Sequence, residues 1–395
     1  MNRRKLLQYG ALGSASLLAN MGLSNQKKTN AFSSESMNKK QIYDWIFLYW
    51  MPYDNNLSHF GKPILQMITK GVQTENILVA VQSDFSGAKH LSRHIITKGN
   101  VDIQDLETAD SSSEKVFAEY LAWAREQFQA KKWALVFLGH GGCLDQISPD
   151  EHPELGFSSK TKWMNIKNLS DIITNFNREV DERVELVFFQ NCNKGTLEAH
   201  YTFRNTAKYT LSSQLLLGAP NYYYEQLFQF IGMHPEINGG QLADKIVEFE
   251  PSNMYHSYTV INNLGFSSLP QKINPLLESI ISSNVKRIKS SELETYSYMD
   301  ERFVDVVSLL EKITKQADAT QQQKYNEFVN FFNTSLIYSF KQDGTLLNPS
   351  QRRKKLCGLG LFLPRSKDEL DKYRYLQVFS DLKFVELFDA IVFNS

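Results

Sequence analysis

Two apolar runs, each closed by a reactive side chain, dominate the hydropathy pattern of this chain. Residues 133–138 (Trp-Ala-Leu-Val-Phe-Leu) lead into Gly139-His140-Gly141-Gly142. Residues 184–189 (Val-Glu-Leu-Val-Phe-Phe) lead into Gln190-Asn191-Cys192-Asn193-Lys194-Gly195. Short, nearly continuous apolar runs rich in β-branched and aromatic residues predict strands buried on both faces of a sheet. Between them Ile166, Leu169, Ile172, Ile173 and Phe176 recur at helical spacing. That predicts a helix over 164–180, with Asn168 or Ser170 as candidate caps. Strand–helix–strand units cross over right-handed and leave their strands parallel. Both strands then end at the sheet edge where open α/β folds place their sites. His140 and Cys192 are therefore expected side by side.

The same reading predicts strands at 42–50, 77–81, 91–96, 209–214 and 258–261. It predicts helices through Ile64, Leu65 and Ile68, and over 114–129, 196–208, 222–231 and 242–249. Residues 144–162 are polar and read as a long loop, a feature that in compact domains is usually functional or mobile. Further on, helices are expected over 275–288, 303–314, 321–338 and 382–393, with a late strand at 356–364 closed by Pro364. The fold class is α/β: a mostly parallel sheet flanked by helices. The expected division is a core domain over 42–265 and an α-rich portion over 266–395 that returns the 356–364 strand to the core.

Composition narrows the function. The 43 basic and 43 acidic residues balance, so nothing points to a nucleic-acid partner. The N-terminus has the layout of an export signal: basic Arg3, Arg4 and Lys5, then a small and apolar stretch from Leu6 to Leu23. The order Arg3-Arg4-Lys5-Leu6-Leu7 also resembles a twin-arginine signal. Gln8, Ser14, Ser16 and Asn20 make the stretch too polar for a good membrane anchor. Residues 1–31 are read as the signal and the start of a linker, residues 32–41 as linker, and the mature protein as exported to periplasm or medium with no stable span. Three cysteines, Cys143, Cys192 and Cys357, are too few for a disulfide framework, and an odd number leaves a thiol over.

A thiolate is a good nucleophile, and an imidazole beside it can lower its pKa or hand a proton to a leaving amine. Acyl transfer also needs donors for the developing oxyanion. The backbone N–H groups of Gly141 and Cys192 are the candidates, and the glycines after His140 let backbone approach a substrate closely. Taken singly, a Cys at a strand end is more often a small buried residue, and His-Gly is more often a turn. Their joint placement at the ends of two strands in one α/β unit is what favours chemistry.

These residues resemble a known family. Strand-His-Gly-Gly, helix, then strand-x-x-Cys-x-x-Gly is similar to the clostripain-like cysteine peptidases of the caspase–legumain–gingipain superfamily. Tyr53-Asp54-Asn55-Asn56-Leu57, Val81-Gln82-Ser83-Asp84, Thr196-Leu197-Glu198, Ser213-Gln214 and Gly358-Leu359-Gly360-Leu361-Phe362-Leu363-Pro364 resemble further family segments, so the likeness covers roughly 45–395. His140 lies 52 positions before Cys192, near the roughly 50 of caspases. The resemblance implies a caspase-like fold and an endopeptidase acting on protein or peptide substrates, with Cys192 as nucleophile and His140 as proton donor. No cofactor is needed for the chemistry, while calcium and self-cleavage are family properties for which the acidic loop 145–155 is a candidate.

One position departs from the family. Members that cut after Arg or Lys carry an acid two residues before the Cys, where this chain has Gln190. Losing a buried charge partner costs roughly 2–5 kcal/mol, so strict Arg/Lys preference at P1 is not expected. Gln190 is instead a candidate to hydrogen-bond an uncharged polar side chain, with Ser213 and Asn55 as further substrate-binding candidates. Asp54 and Asn55 either lie near the site or cap the helix that follows. Asn193 and Lys194 replace an apolar pair and keep a second reading open, a caspase-like fold that binds proteins without cleaving them. Cys143 reads as a bystander, and His140, Cys143 and Asp145 fit no zinc spacing, so no metal ligands are assigned. Tyr222-Tyr223-Tyr224 reads as packing.

Overall fold

The computed structural model describes residues 41–108, 110–150, 161–283, 288, 292–315, 317–348, 352, 353 and 355–393. The expected export signal, the linker up to residue 40 and residues 151–155 of the acidic loop lie outside the described residues. The first half of the chain runs β1 (Ile42–Tyr53), α1 (Ser58–Gly71), β2 (Ile77–Phe85), β3 (Ser92–Thr97), β4 (Asn100–Asp105), α2 (Glu114–Gln127), β5 (Gln129–Leu138), β6 (Gln146–Asp150), β7 (Lys162–Asn165), α3 (Ile166–Glu179) and β8 (Val184–Gln190). It continues with α4 (Leu197–Phe203), β9 (Tyr209–Ser212), α5 (Tyr224–Met233), α6 (Gly239–Phe249), β10 (Tyr258–Asn262) and α7 (Leu269–Ser282). The last part holds β11 (Thr295–Tyr298), β12 (Glu301–Asp305), α8 (Val306–Thr314), α9 (Ala319–Phe331), β13 (Ile337–Lys341), β14 (Gly360–Phe362) and short helices to Phe388.

A nine-stranded sheet in the order β13-β10-β9-β8-β5-β1-β2-β3-β4 organises these elements. Its centre, from β9 through β8, β5 and β1 to β2, is parallel. The hairpin β3–β4 closes one side antiparallel to β2, and β10 with β13 closes the other antiparallel to β9. Successive side chains on a strand point to opposite faces, so each apolar run feeds two cores. Leu135, Phe137, Val187 and Phe189 pack with Phe117 and Leu121 of α2 and Leu169, Ile173 and Phe176 of α3. Val136, Leu138, Leu186 and Phe188 pack with Ile64 and Ile68 of α1, Phe228 of α5 and Ile246 of α6. Each such side chain contributes roughly 1.5–3 kcal/mol by leaving water. Among the described residues, no helix is long and apolar enough to cross a membrane.

Several elements differ from the sequence reading. Asn165, not Asn168 or Ser170, caps α3, accepting from Lys167 N–H. The expected loop 144–162 contains β6, Gln146–Asp150, which pairs antiparallel with β7, with a register shift beside Pro149 that breaks its alternation. The 303–314 helix begins only at Val306, because Asp305 ends β12 and caps α8 by accepting from Ser308 N–H. The 321–338 helix continues past Phe331 as a π-helical turn over Phe332–Leu336, and Ile337–Lys341 becomes β13; a short apolar run suits either state until it finds a partner. The late strand is shorter than expected, Gly360–Phe362. It joins β11 and β12 in a separate three-stranded sheet and touches the main one's loops through a bridge from Gly360 to Thr196. The strand that returns to the nine-stranded sheet is β13. Leu276 and Leu277 of α7, Leu309 of α8 and Phe328 of α9 share one apolar cluster with Val187 and Phe189 of β8, so that cluster spans the expected boundary near 265.

Candidate active site

The register of β5 and β8 builds the site. Leu138 pairs with Gln190, and neighbouring strands lie about 4.8 Å apart. His140 and Cys192 follow two residues beyond each and so leave the sheet at the same level. Each loop turns through a left-handed residue, Gly139 at φ 98° and Asn193 at φ 56°. Glycine takes that conformation freely, and asparagine is among the side chains that tolerate it. The loops are then tied together. Asn191 Nδ2 donates to Gly139 O at 2.9 Å and to His140 O at 3.3 Å. Buried Lys194 donates from Nζ to Cys143 O at 2.8 Å. Gly141 approaches so closely that a Cβ there would lie 2.3 Å from Cys192 O.

Burial sets the protonation of the pair. Desolvation pushes the His140 imidazole down to about 4. Desolvation pushes the Cys192 thiol up, against donors from Leu217 N–H and Tyr298 and the charge of Lys194. At neutral pH Cys192 is therefore held as a thiol and His140 as a neutral imidazole. His140 Nε2 lies 2.7 Å from Asn56 Oδ1, a contact that places the ring proton on Nε2. Leu217 N–H donates to Cys192 Sγ at 3.4 Å.

The other candidates separate. Gln190 faces the same side as Leu186 and Phe188, toward α5. Its Nε2 donates to Tyr224 OH at 2.8 Å and to Asn221 Oδ1, and its Oε1 accepts from Tyr223 OH at 2.8 Å. Tyr223 and Tyr224, read as packing, are buried and also hold this amide. Behind Asn221 lies Glu250, which accepts from Tyr222 N–H at 3.2 Å. Ser213 is fully buried, its Oγ accepting from Leu215 N–H at 3.2 Å. Asn55 is buried too: its Nδ2 donates to Pro52 O at 2.9 Å and its Oδ1 accepts from Leu57 N–H at 2.9 Å. These bonds fix the turn before α1, whose N-cap Leu57 has no side-chain cap, and it is the neighbouring Asn56 that reaches His140. No disulfide links the three cysteines, and Cys143 Sγ sits 4.0 Å from Met299 O.

Sequence reasoning missed Asn56, although it stands inside the quoted Asp-Asn-Asn-Leu segment. It also missed Tyr298 and Glu301, which come from β11 and β12 and carry no local signal. It assigned no metal ligands, yet Asp54, Asp84 and Asp150 bring carboxylate oxygens within 4.8 Å of one another near the ends of β1, β2 and β6. An all-oxygen set of this kind suits a hard cation.

Three carboxyls beside these networks are raised by desolvation: Glu198 to about 7, Glu250 to about 8 and Glu301 to about 7. The folded chain keeps these protons where the unfolded chain, with carboxyls near 4.5, has lost them. The folded state therefore binds more protons over that window, and stability falls as pH rises through it. Below pH 6.5 the buried imidazoles His94, His140 and His200, lowered by desolvation, act in the opposite sense, so the unfolding temperature is expected to drop from about pH 6.5 to about pH 8, and to drop less in Glu250→Gln. Thermal unfolding at the two pH values checks this.

A mostly parallel sheet with paired His and Cys loops at neighbouring strand ends is a caspase-like α/β fold. Residues 49–389 match the Clostripain family, and the chain belongs to that family. Clostripain from Hathewaya histolytica is 21% identical over 328 residues, which cover 67% of this chain and 59% of clostripain, less than two thirds of that relative's length. A secreted C11 cysteine protease from Bacteroides thetaiotaomicron, solved in complex with an irreversible peptide inhibitor, superposes with a TM-score of 0.65 at 18% identity, covering 86% of this chain and 99% of that one. An inactive zymogen C11 protease from Parabacteroides distasonis superposes with a TM-score of 0.65 at 15% identity, covering 87% and 99%. At these identities the likeness carries the fold.

Proposed function

We propose that the protein is an exported cysteine endopeptidase that cuts peptide bonds with Cys192 and His140. The observation that carries this reading is the Leu138–Gln190 register, which sets the two loops level, with Gly141 against the Cys192 carbonyl. Cys192 Sγ attacks the scissile carbonyl. Its proton passes to the neutral His140 imidazole and from there to the leaving amine. The Gly141 and Cys192 N–H groups receive the oxyanion. Water then cleaves the thioester with His140 as base, and thiol and imidazole return to their starting states.

Gln190 and Asn221 carry no charge, and Glu250 behind them, raised to about 8, is mainly protonated at neutral pH. A floor of this kind supports uncharged P1 side chains over Arg or Lys. Calcium is part of the proposal: Asp54, Asp84 and Asp150 would hold it, and the bound ion would relieve the repulsion of three crowded carboxylates. Self-cleavage is placed in the acidic loop 145–155. Export rests on the basic and apolar pattern of residues 1–31, and the relative from Bacteroides thetaiotaomicron is described as secreted.

The test is cleavage of a mixed peptide library by protein lacking residues 1–31, with calcium and with a chelator. Cuts after uncharged residues, faster with calcium, are the expected result. Cuts mainly after Arg and Lys would overturn the P1 assignment. No cuts together with an unreactive Cys192 would leave a protein-binding module.

A further inference from the structure

A hairpin from the C-terminal part of the chain reaches the dyad. β11 and β12 are joined by Met299 and Asp300, both left-handed at φ 50° and 65°, the conformation of a tight two-residue turn. The turn is held in place from several sides. Arg365 Nη2 donates to Asp300 O at 2.7 Å, Leu144 N–H donates to Glu301 Oε2 at 2.7 Å, and Tyr373 OH donates to Glu301 Oε1. So fixed, Tyr298 is buried with its hydroxyl donating to Gly141 O at 2.6 Å. Gly141 in turn abuts Cys192, and the phenol counts among the groups that act on its thiol. One phenol thus holds the backbone of the expected oxyanion donor and faces the attacking sulfur.

We propose that Tyr298 is a catalytic residue: its O–H turns from the Gly141 carbonyl to Cys192 Sγ as the thiol loses its proton, and stabilises the thiolate. The inference rests on Cys192 being the nucleophile. The thiol proton goes to His140, while Tyr298 keeps its own proton and changes only the acceptor. The surroundings give this donor a purpose. His140 is held neutral and supplies no standing cation. Lys194 faces the thiol but is engaged with the Cys143 carbonyl, and its ammonium is lowered to about 8 by burial. Tyr258 also faces the thiol, and its own hydroxyl is pushed well up by burial. Leu217 N–H, the Cys192 N–H and, once turned, Tyr298 O–H are then neutral donors for the sulfur.

The test compares parent, Tyr298→Phe and protein carrying 3-fluorotyrosine at position 298. The rate of iodoacetamide alkylation is followed against pH by mass on the peptide containing Cys192, beside kcat/KM on one cleaved peptide. Losing one hydrogen bond to the thiolate is expected to raise the alkylation midpoint by about one pH unit, a roughly tenfold loss of rate below it. The fluorinated phenol, a stronger donor with the same packing, is expected to lower the midpoint. It keeps the proposal testable if Tyr298→Phe folds poorly. An unchanged midpoint in both, with kcat/KM reduced equally at every pH, would make Tyr298 a mere buttress of Gly141 and overturn the proposal. A parent Cys192 that resists alkylation at every pH would overturn the nucleophile reading, and this proposal with it.

Discussion

Cys192→Ala is expected to remain folded and to lose peptide cleavage by at least about 10⁴-fold, the scale seen when a covalent nucleophile is removed. The fold is expected to survive because Cys192 is half-buried and its Sγ contacts to Leu217 are long, 3.7 Å to the carbonyl O and 3.4 Å from the N. The ties that close the site come instead from Asn191, Lys194 and the backbone of Gly141. Among the described residues the other two thiols are turned elsewhere: Cys143 faces the Met299 carbonyl and Cys357 donates to Leu359 O at 3.5 Å. Single-turnover cleavage by parent and variant, with thermal unfolding as the fold control, decides the matter. An alanine form retaining a tenth of the parent rate would remove Cys192 from the chemistry.

Gly141→Ala is expected to cost roughly 10²–10³ in kcat/KM, the cost of misplacing an oxyanion donor by about 1 Å. The new methyl would meet Cys192 O at 2.3 Å and Lys194 Cε at 3.2 Å. The first of these is backbone and cannot swing aside, so the His and Cys loops must part. Tyr298 holds the Gly141 carbonyl from the other loop system, which leaves the strain concentrated at the site. Because the change falls beyond the ends of β5 and β8, their ladder is left intact and the main loss should be in turnover. Steady-state kinetics beside an unfolding curve separate the two. A variant within tenfold of the parent would show that Gly141 N–H is not an oxyanion donor.

The placement of His140 and Cys192 at neighbouring strand ends was legible because its signals are local. The runs before His140 and Cys192 are apolar enough to specify buried strands. A helix between them specifies a parallel crossover, and parallel neighbours end together. The Gln190 departure was equally legible, being one position in a fixed spacing. What escaped were the groups that surround the dyad from elsewhere. Glu250 lies 60 residues after Gln190 and is linked to it through Asn221 and Tyr223. Tyr298 lies in a stretch with no helical period and no motif. Asn55 and Asn56 are adjacent and chemically alike, and only the turn decides which amide serves the backbone and which reaches His140.

By itself the sequence determined the α/β class, the strand ends that carry the His and Cys, and the neutral Gln190 two residues before the Cys. Hydropathy period and chain order are enough for those. Tertiary structure alone decided which late strand joins the main sheet, which carboxylates gather at its edge and which phenol meets the thiol. Strand pairing and burial decide these through contacts between segments far apart in sequence. The protonation of the dyad belongs with them, because a thiol and an imidazole take their charge states from the water that the fold excludes.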